Sequence, residues 1–113
     1  ARGTVLIHVP FSEGLIGDFR RPALHGGVLS TCADVAGGVA VWSEFSPQDA
    51  VSTIDLRVDY LRPGAKGDLW CRGEVLRSGN RVAVTTMTLY QDSPDIPIAV
   101  ARGAYNIRRH VEG

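Results

Sequence analysis

Hydrophobic positions along this chain fall into segments of two different periods. Thr4-Val5-Leu6-Ile7-His8-Val9 is rich in β-branched residues and stops at Pro10, which cannot donate to a ladder, so it predicts a strand. Residues 10–24 carry Pro10, Gly14, Gly17 and Pro22 and predict a connection long enough to suggest a functional loop. From Gly27 to about Phe45 the run is too long and too apolar for a strand and predicts a helix. Val28, Leu29, Cys32, Val35, Ala36, Val39 and Ala40 leave it almost no polar face, the mark of a buried helix. Its Gly37-Gly38 pair is unfavourable by about 1 kcal/mol per glycine relative to alanine, which implies close approach of a strongly curved sheet or another helix.

Four strand-like runs follow. In residues 51–61, Ile54, Leu56, Val58 and Tyr60 alternate with Thr53, Asp55, Arg57 and Asp59, the period of a half-buried antiparallel strand, and Pro63-Gly64 turns the chain. Residues 68–77 set Leu69, Cys71 and Val75 against Trp70, Arg72 and Glu74, and Ser78-Gly79-Asn80 supplies a hairpin loop. Residues 81–91 place Val82, Val84, Thr86, Thr88 and Tyr90 opposite Ala83, Thr85, Met87 and Leu89, and residues 96–108 close the fold. The expectation is α+β: a single domain over residues 1–113, with one buried helix against one sheet whose last four strands are sequential.

Composition narrows the function. The chain has 113 residues, 12 basic and 12 acidic, so its net charge of zero argues against nucleic acid or an acidic membrane as partner. Cys32 and Cys71 sit in apolar runs without a CxxC pair and read as small buried hydrophobes, with no thiolate metal site expected. No apolar stretch reaches the ~18 residues of a membrane span and no signal-peptide order opens the chain, so a cytoplasmic address is expected. The start at Ala1 leaves room for an element upstream.

Asp34 is the most informative residue, the single ionisable side chain between Val28 and Trp42. A buried carboxylate must be partnered, protonated, or face a cavity where its charge is used, and Ser30 and Thr31 one turn earlier are candidate partners. Leu24-His25-Gly26-Gly27 precedes the helix. The first amides of a helix lack internal acceptors and sit at its positive end, so glycines there expose N–H groups to a carbonyl oxygen or oxyanion, unless they merely shape the loop. Gly26 and Asp34 lie eight residues apart, roughly 12 Å along one helix, too far to flank one carbonyl. Two copies with antiparallel helices would bring them together, which predicts an obligate homodimer with two composite sites.

The runs LHGGVLSTCADVAGGVA, DLRVDYLRPGAKGD and VLRSGNRVAVTTMTLYQD resemble the hotdog-fold thioesterases, in particular the group of the phenylacetate-pathway thioesterase and human thioesterase superfamily member 2. The resemblance spans residues 4–108 and rests on His-Gly-Gly with an acid nine residues after the histidine and on the Tyr-Leu-Arg-Pro strand end. It implies a long helix wrapped by a five-stranded antiparallel sheet, sheets joined edge to edge in a dimer, and pairing of dimers into a tetramer. It also implies hydrolysis of an acyl-coenzyme A, with coenzyme A entering as part of the substrate and no metal or redox cofactor. By position, Asp34 resembles the catalytic carboxylate, as base or nucleophile, and Gly26 the glycine whose N–H polarises the thioester carbonyl. His25 would shape the loop or bind substrate, and Thr53 falls where relatives keep a hydroxyl that places the water. Asp55, Tyr60, Arg62, Arg77, Gly79, Arg81 and Arg108, with Thr53, occupy positions that in relatives line the pantetheine passage or meet the nucleotide phosphates. On residues alone, Asp55, Arg57 and Asp59 read equally as a solvated strand face.

One departure stands out. Where many relatives place an asparagine six residues before the histidine, this chain has Phe19, with Asp18 beside it as a possible substitute. The family's N-terminal helix is also not in these residues. Trp42, Phe45 and Trp70 read as packing, subunit contact or acyl-tunnel lining. His8 and His110 show no partner at a telling spacing, and Ser30 and Ser52 lack a GxSxG elbow. Beside the hydrolase stand two other readings on the same fold: a non-catalytic acyl-coenzyme A binding module, and an enoyl-thioester hydratase, disfavoured because its acid and histidine occupy a different motif.

Overall fold

A computed structural model describes residues 2–17 and 23–110, so Asp18 and Phe19, and the question of a substitute for the asparagine, lie outside the described residues. The elements are β1 (Thr4–Val9), α1 (Gly26–Trp42), β2 (Ala50–Tyr60), β3 (Leu69–Ser78), β4 (Val82–Tyr90) and β5 (Ala99–Arg108), with a 3-10 turn at Glu13–Leu15. The strands form one antiparallel sheet in the order β1-β3-β4-β5-β2, and α1 touches all five. This is the helix-in-sheet arrangement of the hotdog fold. Among the described residues, no helix is long and apolar enough to cross a membrane.

Sequential order in the chain is not order in the sheet. β2 pairs with β5 rather than β3, and residues 61–68 do not close a hairpin but carry the chain past the start of the helix. There Gly64 O accepts from Leu24 N at 2.9 Å, and a Cβ on Gly64 would stand 3.1 Å from Leu24 and 3.2 Å from Ile98. The expected helix also ends earlier, at Trp42. Ser43 caps it there, its hydroxyl donating to Ala40 O at 2.7 Å.

Leu29, Cys32, Ala33 and Ala36 of the helix pack on Leu69, Cys71, Met87, Leu89 and Ala99 of the sheet, and Val41 packs with Tyr105 and Ile107. Both cysteines are buried and free, and the Cys32 thiol beside it, together with burial, holds the Cys71 thiol above its ordinary range. The contact explains the glycines. A Cβ on Gly73 would fall 2.7 Å from Ala36 O, and one on Gly37 would overlap the Tyr105 hydroxyl and approach Thr85 Oγ1 to 2.9 Å, so the close neighbour is the sheet.

The helix is not buried all round. Val35, Val39 and Trp42 are 49%, 38% and 43% exposed, forming an apolar stripe at i, i+4 and i+7 on the side away from the sheet. Periodicity within one chain does not distinguish such a stripe from core.

The Gly37-Gly38 pair divides sharply. Gly37→Ala is expected to destabilise the fold by about 1–3 kcal/mol through overlap with Tyr105 and Thr85. Gly38→Ala meets only the Tyr105 ring, at 3.5 Å from Cε1 and 3.9 Å from Cδ1, ordinary contacts, and is expected to be neutral or to gain up to ~1 kcal/mol of helix propensity. Urea unfolding with unchanged slope checks both; equal effects at the two positions would overturn this account of the close approach.

Candidate active site

Asp34 stands midway along α1, half-buried, and its carboxylate is held from two strands. Thr53 Oγ1 of β2 donates to Asp34 Oδ1 at 2.7 Å, and Tyr105 OH of β5 lies 3.1 Å from the same oxygen and 3.0 Å from the Asp34 carbonyl. Ser30, one of the candidate local partners, donates instead to Gly27 O at 3.2 Å, and Thr31 is exposed. Among the described residues no donor reaches Oδ2. A cavity of about 490 Å³ opens beside the carboxylate, bounded by Thr53, Tyr105, Gly38, Val39 and Trp42.

Thr53 reaches Asp34 only because β2 is irregular. The alternation expected from sequence puts Thr53 on the outer face with Asp55 and Arg57. The structure instead shows a β-bulge between Thr53 and Asp55, where Tyr105 and Ala104 are consecutive partners and Ile54 is the extra residue, 56% exposed. The one-residue shift turns Thr53 toward the helix while leaving Leu56 and Val58 inward and Asp55 outward.

At the helix start, His25 is the N-cap and its Nδ1 accepts from Gly27 N at 2.9 Å, which places the neutral ring's proton on Nε2. Tyr60 OH donates to Gly26 O at 3.1 Å. Gly27 N–H is thus occupied, whereas Gly26 N–H meets no acceptor among the described residues, so of the two glycines Gly26 offers the bare donor. A second cavity, about 580 Å³, lies beside this end, walled by Ile7, Val9, Val28, Cys32 and Val35 with His25 at its edge.

The remaining candidates divide between the two ends of the sheet. Arg62 N donates to Ile98 O at 3.2 Å, next to the first residue of β5, and Tyr60 pairs with Ala99. Arg108 ends the same strand; Arg81 O accepts from Ile107 N at 2.7 Å, and Arg77 and Gly79 flank the same hairpin. The length of β5, about 30 Å, separates the groups, so one chain does not bring Arg62 together with Arg77, Arg81 and Arg108 on one phosphate.

Sequence reasoning did not find Tyr105, Asp49 or the pairing of His8. Tyr105 is 1% exposed; burial first and the Asp34 charge second push its hydroxyl well above the usual tyrosine range, so it stays a protonated donor. The available signal was an inward-facing tyrosine whose O–H needs a partner. His8 Nε2 meets Asp68 Oδ2 at 2.8 Å and the ring stacks on Trp70 at 4.1 Å on the outer face; the histidine bond and Phe11 N–H hold Asp68 below the ordinary carboxylate range. Asp49 borders the first cavity but serves structure. Its oxygens accept His110 N at 2.7 Å and Ser46 N at 3.0 Å, and the His110 N–H foremost keeps its carboxyl low.

A helix cupped by a five-stranded antiparallel sheet defines the hotdog fold. The chain belongs to the thioesterase superfamily, whose sequence model it matches over residues 19–98, and is by class a thioester hydrolase. It is 36% identical over 106 residues to the medium/long-chain acyl-CoA thioesterase YigI of Salmonella typhimurium, covering 82% of this chain and 68% of the relative. To a putative esterase of Halobacterium salinarum it is 36% identical over 120 residues, covering 95% and 76%. A thioesterase family protein from Silicibacter pomeroyi superposes with a TM-score of 0.88 at 27% identity, covering 97% of this chain and 81% of that one.

A carboxylate whose folded value is depressed adds stability above its unfolded value, near pH 4, and loses it as pH falls through the lower folded one. Thermal midpoints are therefore expected to hold from pH 7 to about 5 and drop below about pH 4. Asp49→Asn should lower the midpoint at pH 7 and shrink that drop, with Asp68 contributing to the slope that remains. A midpoint–pH curve unchanged by Asp49→Asn would show that this acid does not fasten the chain end.

Proposed function

We propose that the protein hydrolyses an acyl-coenzyme A to the free acid and coenzyme A, with Asp34 of one subunit and Gly26 N–H of another acting on one carbonyl. The observation that carries this reading is the half-satisfied carboxylate: Asp34 Oδ1 is anchored by Thr53 and Tyr105, while Oδ2 has no donor among the described residues and a cavity lies beside it. Asp34 takes the proton of an attacking water, or itself attacks the carbonyl carbon. Gly26 N–H stabilises the developing oxyanion, a contribution of roughly 3 kcal/mol for a donor of this kind. The acyl group has an apolar cavity to enter beside Gly27, lined by Ile7, Val9, Val28 and Val35, in keeping with the medium and long chains in the name of the Salmonella relative.

Homodimerisation supplies the second half of each site. β2 lies at the sheet edge with eleven residues, long enough to pair with its own copy, and the Val35-Val39-Trp42 stripe lies beside the Asp34 cavity. A two-fold pairing brings the arginines of one chain's hairpin end toward the other chain's helix start, which no single chain achieves. Pairing of dimers into a tetramer belongs to the same reading.

Asp34→Asn is expected to lower hydrolysis at least ~100-fold, measured by free thiol release over aryl and aliphatic acyl thioesters, with ligand binding retained. An unchanged rate removes Asp34 from the mechanism, and binding without hydrolysis in the unaltered chain would make it an acyl-coenzyme A binding module.

Light scattering should give at least twice the 12.1 kDa chain mass, and Val39→Asp should yield a folded monomer without activity. An active monomer would overturn the composite site.

A further inference from the structure

We infer that Tyr105 is a positioning residue that fixes the plane of the Asp34 carboxylate, one oxygen held against the sheet and the other turned to the cavity, an inference that rests on the reading of Asp34 as the reacting acid. An aspartate has a broad χ2 torsion, so the plane of its carboxylate swings freely unless something outside the side chain holds it. Here two hydroxyls from different strands, Thr53 and Tyr105, converge on Oδ1 at 2.7 and 3.1 Å. Rotation about χ2 breaks both bonds at once.

Tyr105 carries the more rigid of the two restraints. Its ring is 1% exposed, and its hydroxyl also lies 3.0 Å from the Asp34 backbone carbonyl, so the same group measures the side chain against the helix itself. One proton shared between these acceptors goes mainly to the charged oxygen, the stronger acceptor.

Room for the ring is made at two unrelated positions. On the helix side, a Cβ on Gly37 would overlap the hydroxyl; on the sheet side, a Cβ on Gly103 would stand 2.6 Å from ring Cε2. A phenylalanine would need nearly the same two vacancies to fill the core, so the packing accounts for the ring. The two bonds to Asp34 account for the oxygen.

The test is a double-mutant cycle read in kcat. Tyr105→Phe keeps the ring and deletes the oxygen; it is expected to lower kcat at least tenfold, with KM within about twofold and the thermal midpoint within a few degrees of the unaltered protein. In an Asp34→Asn background the same change should alter the residual rate less than twofold, because there is no carboxylate left to orient. Thr53→Val, at an exposed position, removes the other hydroxyl and should show the same split and the same loss of effect in the Asp34→Asn background.

A Tyr105→Phe protein with the full kcat, or one whose loss is as large in the Asp34→Asn background as with the carboxylate present, overturns the inference while leaving Asp34 in the mechanism. A rate unchanged by Asp34→Asn instead overturns the reading of Asp34 and this inference with it.

Discussion

A charge in the middle of an apolar helix is the constraint that organises this protein. The helix is built from small and aliphatic residues so that a curved sheet can close on it, and Asp34 is carried within that contact. Its carboxylate needs donors that the helix cannot provide, since the backbone amides on that turn are already used. The sheet provides them from β2 and β5, neighbouring strands remote in sequence. β2 bulges at Ile54 to turn Thr53 inward, and β5 pairs a glycine at 103 with the tyrosine at 105.

The same helix and sheet leave several groups of the single chain unpaired or exposed. Its sheet has two edges, one of them the eleven-residue β2, and its helix shows an apolar stripe to solvent beside the cavity that Asp34 enters. The bare N–H of Gly26 lies at one end of the helix and the acid in its middle, roughly 12 Å apart at 1.5 Å per residue. Arginines suited to phosphate lie at opposite ends of β5. The proposed two-fold pairing would give each of these features a counterpart from an identical chain without further residues.

Much of this was legible in the order of residues. Alternation in Leu69, Cys71 and Val75 or in Ala83, Thr85, Met87 and Leu89 reports which side meets the helix, because a strand packed on one face can hold only one register. The unusual apolarity of the helix, with its one acid, marked the site. What could not be read was anything that depends on two strands distant in the chain. The run Thr53-Ile54-Asp55-Leu56 alternates perfectly on paper, and only the pairing with Tyr105 and Ala104 shows that Ile54 is excluded. Tyr105 reads as one more inward residue in the series Ala101, Gly103, Ile107, since its hydroxyl's partner is 71 positions away. The placement of β2 beside β5 is likewise a fact of topology, on which periodicity is silent.

Two acids border the first cavity, and comparing them supports the proposal that Asp34, not Asp49, is the reacting acid. Asp49 has both oxygens engaged by backbone N–H groups, from His110 and Ser46, with Arg109 Nε at 3.4 Å. Such bonds stabilise the anion so well that it makes a poor base and a poor nucleophile. Asp34 receives neutral hydroxyls, both on one oxygen, from groups that orient without matching its charge. Its other oxygen keeps its lone pairs toward a cavity lined by Val35, Val39 and Trp42. The difference between an acid that holds the chain together and one that can act on a substrate is therefore not burial or position in the sequence, but how many of its lone pairs the protein has already spoken for.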